Sequence, residues 1–511
     1  MIASRIRTLT CGVGAGCALA LLASASLWVS PAPSDVAGTA LSAHPSQIQL
    51  ACPAGIVDPF DTSNVAAATA WTSTLAAPVS PAPALVTGEA GVIPSALSIA
   101  GQGGGELAGL SAVGCAAPRT SQWIATGATT SGADIVLLLS NPGPTASVVS
   151  VDGFGASGRL NTAPRQVTVP AGSTASVLLA GWFPDESALA VHVQADGGGV
   201  AAWAQASLMN GEIPQGTTLA SASVPAASHT ILGIDPRGTS LLRLVSPSGD
   251  ARVRVWVADS SGVHPLPGGE ATVAEGTTLD MPLDGASNDS APIALLVTAD
   301  QDVVAHTTTI TLGAPWAERA SAWIMRANAT PTTSLTEAAI PGRKQLQDAA
   351  TSVLSSAPIR DTSLATESGV TAVRAHLLLY VPAQAAGSMP QPQGPAPQSG
   401  TPTQAPTPDI WSSPSPTQPQ SDPAQDPQSS GTSPSTPGAV AVRIGERTVY
   451  VAPGIPTLVE APDAAGHILA QSPIHAAIVV SADTAVGTMS TTWNVGTEGI
   501  SAVTGDIRLT N

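Results

Sequence analysis

A short phrase ending in Ala-Asp occurs three times in the chain, and this repeat constrains the fold more than any other feature. The copies read AVHVQAD (190–196), ALLVTAD (294–300) and AIVVSAD (477–483). Each copy is an apolar run that is followed by a turn and a second apolar run, a pattern typical of a β-hairpin. The sequence therefore predicts three copies of one β unit.

The likeness between the copies extends upstream of the phrase. VTVPAGSTASVLLAG (167–181) matches ATVAEGTTLDMPLDG (271–285) and, more loosely, VYVAPGIPTLVEAP (449–462). A turn glycine and the Ala-Asp pair are equally far apart in the first two copies and farther apart in the third. We therefore expect a longer loop in the third copy.

Composition favours strands over helices. Charged residues make up only 10% of the chain, whereas there are 49 glycines and 46 prolines, which disfavour helices. Each unit has room for six or seven short strands with turns every ~8–12 residues. We therefore predict an all-β fold of three tandem antiparallel β-sandwich repeats of the immunoglobulin-like kind, after an N-terminal transmembrane or signal helix.

The strand and turn patterns divide the chain into six parts. SQWIATG (121–127) and SAWIMRA (321–327) are interpreted as the opening strands of the first and third units, and Gly342–Ser356 as a short helix. The predicted parts are a signal anchor or signal peptide (1–34), a Gly/Pro-rich lead-in (35–118), β-sandwich units 1 (119–213), 2 (228–314) and 3 (315–497), and a C-terminal tail (498–511).

The third unit contains a tract rich in Pro, Gln, Ser and Thr at residues 384–438. The tract has no basic residue and cannot bury a core, so we expect a disordered insertion. The segments on either side, 375–383 and 439–451, have strand patterns. Because long insertions cost little closure entropy, we expect these two strands to pair with each other across the tract.

The N-terminus has the features of an export signal. Arg5 and Arg7 precede an uncharged run at 9–30 that is long enough to span a bilayer. The arginines favour a cytoplasmic N-terminus and an exported remainder. A cleaved signal peptide and an uncleaved anchor both fit. We expect a chain anchored in the cytoplasmic membrane by a helix at 9–30, or secreted if this segment is cleaved.

Two cysteines follow the export signal. Cys52 and Cys115 would lie in an oxidising compartment, where a pair of thiols usually forms a disulfide. No cluster of histidines accompanies either cysteine, so a metal site is not expected. We predict a Cys52–Cys115 disulfide that ties the lead-in to the edge of the first unit.

Several segments resemble the DUF5719 family, a group of uncharacterised, exported or anchored actinobacterial proteins. The resemblance rests on ACP (51–53), CAAPRTSQWIATG (115–127), LLLSNPGPTASVVSVDGFG (137–155) and the strands that follow. It covers most of the chain after residue 48, and the alanine-rich, nearly lysine-free composition fits such a source. The resemblance implies no known reaction, so it assigns no functional residue.

No residue pattern indicates catalysis, a metal or a cofactor. His192, His306 and His475 fall at different places in the repeat, without the convergence that a metal requires. Neither a nucleophile elbow nor a zinc-protease motif is present. Acidic loops at 58–61 and 284–289 leave calcium open as a minor alternative. We predict a protein that is not an enzyme and takes no cofactor.

Ten tryptophans stand out against two tyrosines and three phenylalanines. Core packing is their usual role in a β-sandwich, and stacking on a sugar ring is the alternative. Trp123, Trp323 and Trp411 are the candidate ligand contacts. Buried indoles would favour a structural role, whereas an exposed coplanar pair would favour sugar binding.

These observations lead to two main function hypotheses, and an enzyme whose site is assembled from unpatterned loops is a minor third. The first is a membrane-anchored cell-envelope protein that acts as an extracellular scaffold or interaction module, with another envelope protein as its partner. The alternative is an accessory protein that binds cell-wall glycan or helps to assemble a polymer. A net charge of −17 and the lack of a basic patch exclude nucleic acid as a partner.

Overall fold

The computed structural model describes residues 49–360, 370–383 and 438–496, except for 75–76, 83, 89–93, 212 and 316–321, together with the backbone of 40–42 and 504–506. The fold is all-β with several antiparallel sheets, which confirms the predicted class. The predicted membrane segment and nearly all of the proline-rich insertion lie outside the described residues. Within the described part, no helix is both long and apolar enough to cross a membrane.

The chain forms two compact units. The smaller comprises 1–46 and 500–511, and the larger comprises 47–499. In the smaller unit, strand β1 (Ala40–Ser42) pairs antiparallel with strand β32 (Thr504–Asp506).

The part of the lead-in that the structure describes, from residue 49 onward, is folded and contains seven short strands. They are β2 (Gln49–Ala51), β3 (Val57–Asp58), β4 (Asp61–Val65), β5 (Thr69–Thr72), β6 (Leu85–Thr87), β7 (Ala96–Gln102) and β8 (Gly109–Gly114). The largest sheet has the order β5-β7-β8, while β2 pairs with β6 and β3 with β4.

The first β group, residues 121–221, has two sheets that enclose one core. Its strands are β9 (Ser121–Ile124), β10 (Ala133–Asn141), β11 (Ser147–Gly155), β12 (Gly158–Arg159), β13 (Arg165–Val169), β14 (Ser173–Leu178), β15 (Ala190–Ala195), β16 (Ala201–Asn210) and β17 (Ile213–Ser221). One sheet has the order β14-β10-β16-β17. The other has the order β12-β11-β15-β9, with β13 on β11.

The second β group, residues 226–329, is organised by one long strand. Its strands are β18 (Ala226–Ile234), β19 (Thr239–Val245), β20 (Ala251–Asp259), β21 (Gly262–Val273), β22 (Thr278–Pro282), β23 (Ile293–Pro315) and β24 (Ala322–Ala329). The first half of β23 pairs with β18 and β20, and the second half with β19 and β24.

The third β group, residues 335–494, repeats this use of a long strand. Its elements are β25 (Leu335–Ile340), helix α1 (Arg343–Leu354), β26 (Val370–Tyr380), β27 (Val440–Ile444), β28 (Arg447–Val451), β29 (Thr457–Glu460), β30 (Gly466–Thr484) and β31 (Gly487–Asn494). The helix confirms the prediction for 342–356. Its buried face, which includes Leu346 and Leu354, packs into the core that the third β group shares with the lead-in.

The Ala-Asp phrase forms a hairpin in only one of its three copies. The first copy lies in β15, and the run after it lies in β16 of the opposite sheet. The second copy lies in the first half of β23, which continues into the second half without a turn. Only the third copy, in β30, folds back on its successor, β31. The hairpin prediction is wrong for the first two copies, because a strand that passes into the opposite sheet has the same apolar pattern.

The aspartates show why the first two copies are alike and the third is not. Asp196 accepts a hydrogen bond from the backbone N–H of Val148 (2.8 Å), and Asp300 from that of Arg252 (2.7 Å). Each carboxylate therefore binds the N–H at the start of a neighbouring strand. Asp483 instead binds the Arg374 side chain. The wider spacing in the third copy thus reflects a different position in the fold rather than a longer loop.

Three finer predictions about the strands are not confirmed. The strands beside the insertion do not pair with each other, since β26 pairs with 475–484 of β30 and β27 with 468–470. The SAWIMRA segment pairs with β23 and so completes the second β group instead of opening the third. The immunoglobulin-like order is absent, because its first two strands share a sheet, whereas β9 and β10 lie in different sheets.

Buried side chains join the lead-in and the three β groups into one body. The boundary between the first and second groups is filled by Trp123, Ala125, Ala190, Val245 and Val304. The boundary between the second and third is filled by Leu232, Ala258, Ala294, Leu378, Tyr380 and Ala477. The lead-in shares one core with Leu138 and Trp203 of the first group and another with Trp493 of the third.

Candidate functional site

A cavity of about 260 Å³ lies at the boundary between the first and second β groups. We call it the Arg326 cavity. The first group contributes the loop between β9 and β10 and parts of β16 and β17, and the second contributes β19, β22, β23 and β24. The site therefore exists only because the two groups are packed together.

Arg243 on β19 joins the two groups at one side of the Arg326 cavity. Its Nε and Nη2 donate to the two carboxylate oxygens of Asp280 on β22, each at 2.7 Å. Its Nη1 also donates to the backbone oxygens of Gly127 (2.5 Å) and Leu189 (3.1 Å) in the first group. Bidentate Arg–carboxylate pairs of this kind are strong and directional. The charge of Arg243 is therefore balanced within the protein.

The positive charge of Arg326, on β24, has no such carboxylate partner among the described residues. Within that part of the chain, its side chain makes one hydrogen bond, from Nε to the backbone oxygen of Gln215 (2.8 Å). Burial lowers the pKa of its guanidinium group, and no described carboxylate forms an ion pair with it. Buried charges in proteins are normally paired. The cavity thus carries a positive charge that the described protein groups leave uncompensated.

Three residues that line the cavity each carry a polar atom that is buried and has no hydrogen-bond partner within the described structure. The atoms are Thr126 Oγ1, Ser207 Oγ and Asn328 Nδ2. Most buried polar groups are hydrogen-bonded, so three exceptions around one cavity need an explanation. Leu241 and Ile310 add an apolar wall. The arrangement suits the binding of a small polar anion.

The boundary between the second and third β groups lacks this chemistry. Arg243 and Asp280 are cross-strand partners in β19 and β22. In the third group the strands that pair in the same way, β26 and β29, place Leu378 opposite Leu458. A boundary of this type can therefore be built from apolar residues, and packing alone does not require the charged groups of the Arg326 cavity.

A second cluster contains Ser121, His192 and Asp152 on adjacent strands. Ser121 Oγ lies 2.8 Å from His192 Nε2, and the His192 ring stacks on Trp123 at 4.4 Å. Burial lowers the pKa of His192. A catalytic triad also needs the carboxylate to hold the imidazole. Among the described residues Asp152 binds Arg159 and Asn161 and makes no hydrogen bond to His192.

The predicted site residues have different outcomes. The Cys52–Cys115 disulfide is formed, as predicted. Trp123 is only 5% exposed and packs between β groups, so it is not the solvent-facing platform that sugar binding would require. The Trp323 side chain and all of Trp411 lie outside the described residues.

The histidines singled out in the sequence are held by contacts within the protein. His306 is buried between the first two β groups, where its Nε2 lies 2.9 Å from Ser223 Oγ and burial lowers its pKa to about 3. His475 is hydrogen-bonded to Thr332, and burial lowers its pKa to about 4. In the described residues no group of three or more His, Cys, Asp or Glu side chains could hold a metal ion.

Sequence reasoning missed the two arginines of the Arg326 cavity. The signal was present, because Arg243 and Arg326 each interrupt an apolar strand in a chain with only 18 basic residues. The sequence does not show whether a carboxylate pairs with each arginine. Asp280 is distant in sequence, and the missing partner of Arg326 becomes visible only when its neighbours are known.

Comparison with known proteins identifies a family that the chain matches. A family model described as a family of unknown function, DUF5719, matches residues 73–386. The match covers more than half of the chain and includes every residue that lines the Arg326 cavity. It ends before β27, so most of the third β group lies beyond it. Neither curated proteins nor solved structures give a significant match.

Proposed function

The chain belongs to the DUF5719 family, whose function is unknown, and from its fold we propose a non-enzymatic protein of the cell envelope. In this proposal the N-terminal segment at 9–30 anchors the chain in the cytoplasmic membrane, and the folded part acts outside it as a rigid scaffold or interaction module. A cleaved segment would give a secreted form of the same module.

The observation that carries the proposal is the continuity of the buried core. Side chains fill both boundaries between the β groups, and the lead-in packs on the first and the third group. Polar contacts add to this, since Asn494 Nδ2 donates to the Thr330 oxygen (2.9 Å) and Ala112 N–H to Thr491 Oγ1 (2.7 Å). A body held at every boundary keeps its surfaces in fixed positions, which is what a scaffold needs.

Two further features favour the scaffold over glycan binding. Trp71, Trp123, Trp203 and Trp493 are all 5% exposed or less, so these indoles present no face to a sugar. The Cys52–Cys115 disulfide suits an oxidising compartment outside the cytoplasm.

We also infer that the three β groups are tandem copies of one β-sandwich plan. Support comes from β10, β19 and β26, which occupy the same position in their groups. Each pairs on one side with a short strand, β14, β22 or β29, and on the other with β16, β23 or β30. A proline follows each of these strands, at 142, 247 and 382.

Site-specific photocrosslinking in the native host tests the function. A photoreactive residue would replace Phe60 or Leu312, which are 72% and 79% exposed, and buried Trp203 would serve as the control position. The scaffold proposal predicts a discrete protein adduct from a membrane-bound, externally accessible chain, and none from the control. Adducts with polysaccharide alone would favour the glycan hypothesis, and a cytoplasmic chain would contradict the proposal.

A further inference from the structure

We propose that the Arg326 cavity binds a small polyhydroxylated carboxylate, a ligand of the uronic-acid class. This inference goes beyond the scaffold role and does not depend on it. It rests on the charge of the cavity, its unpartnered polar atoms, its apolar wall and its size.

The charge indicates an anion, and the geometry of the cation indicates a carboxylate. Arg326 uses only Nε within the described structure, which leaves both terminal nitrogens for a ligand. A guanidinium group offers two parallel donors that match the two oxygens of a carboxylate. Arg243 does not compete for the ligand, because Asp280 and two backbone oxygens already occupy its donors.

The unpartnered atoms indicate hydroxyl groups on the ligand. Thr126 Oγ1 and Ser207 Oγ can each donate and accept, and Asn328 Nδ2 can donate. A ligand hydroxyl can also act in both roles. Because the three atoms are closed to solvent in this structure, each side chain would have to rotate toward the cavity to meet such a hydroxyl. Leu241 and Ile310 can pack against the C–H face of a sugar ring.

The size of the cavity limits the ligand to about one sugar residue. Its volume of about 260 Å³ lies just below the roughly 300–1,000 Å³ that is typical of sites for drug-sized molecules. We therefore expect a monosaccharide acid, or the terminal residue of a longer chain, rather than an internal stretch of polymer.

Isothermal titration calorimetry on the full chain tests the ligand class. The probes are glucuronate, glucose as its uncharged counterpart, acetate as a carboxylate without hydroxyls, and inorganic phosphate. We expect one glucuronate per chain and at least tenfold weaker binding of the other three probes. Absence of glucuronate binding would overturn the proposal, and so would glucose, acetate or phosphate binding as tightly as glucuronate.

Two cavity variants and one control locate the site. Arg326→Gln removes the cation and should weaken glucuronate binding at least tenfold. Ser207→Leu places a larger apolar side chain in the wall and should do the same, which keeps the test decisive if Arg326→Gln does not fold. Arg254→Gln, at an exposed arginine paired with Glu270, should leave binding unchanged. Unchanged binding in a folded cavity variant would contradict the assignment.

Discussion

At the residue scale, some glycines stand where two strands approach too closely to leave room for a side chain. A Cβ atom on Gly109 would lie 2.0 Å from the backbone oxygen of Thr217 in β17, too close for any side chain. Gly109→Ala should therefore force the lead-in away from the first β group and lower the free energy of unfolding by about 2 kcal/mol or more.

The matched control for Gly109→Ala is Gly198→Ala, because a Cβ atom on Gly198 would meet no atom within 4 Å. Urea unfolding should give a change within about 0.5 kcal/mol for this control. Equal effects of the two substitutions would show that the contact between β8 and β17 is looser than described.

Arg243 is the second residue whose loss should be costly. Arg243→Met leaves the Asp280 carboxylate and the oxygens of Gly127 and Leu189 without their donor. Because Arg243 is only 11% exposed, we expect a loss of roughly 2–3 kcal/mol in the free energy of unfolding.

An exposed ion pair provides the comparison for Arg243→Met. Arg237 pairs with Asp235 but is 68% exposed, so Arg237→Met should change the free energy of unfolding by less than about 0.5 kcal/mol. A double-mutant cycle with Asp280→Asn should give a coupling energy well above 0.5 kcal/mol, and a value near zero would mean that Arg243 acts through packing alone.

At the scale of elements, the lead-in depends on its disulfide. Cys52 and Cys115 are 63 residues apart, and closing a loop of this length is worth about 4 kcal/mol by chain entropy. The double substitution Cys52→Ser and Cys115→Ser should lower the free energy of unfolding by a similar amount in urea titrations. An unchanged midpoint would mean that strand pairing alone, such as β2 with β6, holds the lead-in.

Elements were easier to predict from the sequence than their pairing. The helix at Arg343–Leu354 and the disulfide follow from local patterns, because Pro358 ends the helical segment and a lone pair of exported thiols leaves few alternatives. The partners of β15 and β23 did not follow, because an apolar strand that crosses between sheets has the same local pattern as a hairpin. The Arg326 cavity was invisible for a similar reason, since its residues converge from two β groups.

At the scale of the whole molecule, buried histidines link stability to pH. His306 and His475 lie at the two boundaries, and burial lowers their pKa values from 6.5 to about 3 and about 4. Below pH 6.5 the unfolded chain binds protons that the folded chain excludes, so stability is complete above pH 6.5 and is lost as the pH falls toward these values. Each histidine should contribute roughly 1.4 kcal/mol per pH unit within that window.

Urea midpoints measured between pH 7 and 5 test this dependence. His475→Gln and His306→Gln should each reduce the slope of stability against pH. Equal slopes for the wild type and both variants would contradict the role of buried histidines at the boundaries.

The central claim is that the lead-in and the three β groups form one rigid body. Native-state hydrogen exchange, followed by mass spectrometry at increasing urea, tests it most directly, because cooperative bodies open as single units. We predict that the amides of β8, β17, β24 and β31 merge into one opening transition with the global free energy of unfolding. Opening of the first or the third β group at a lower free energy, while the others stay protected, would show modules that act independently and would contradict the claim.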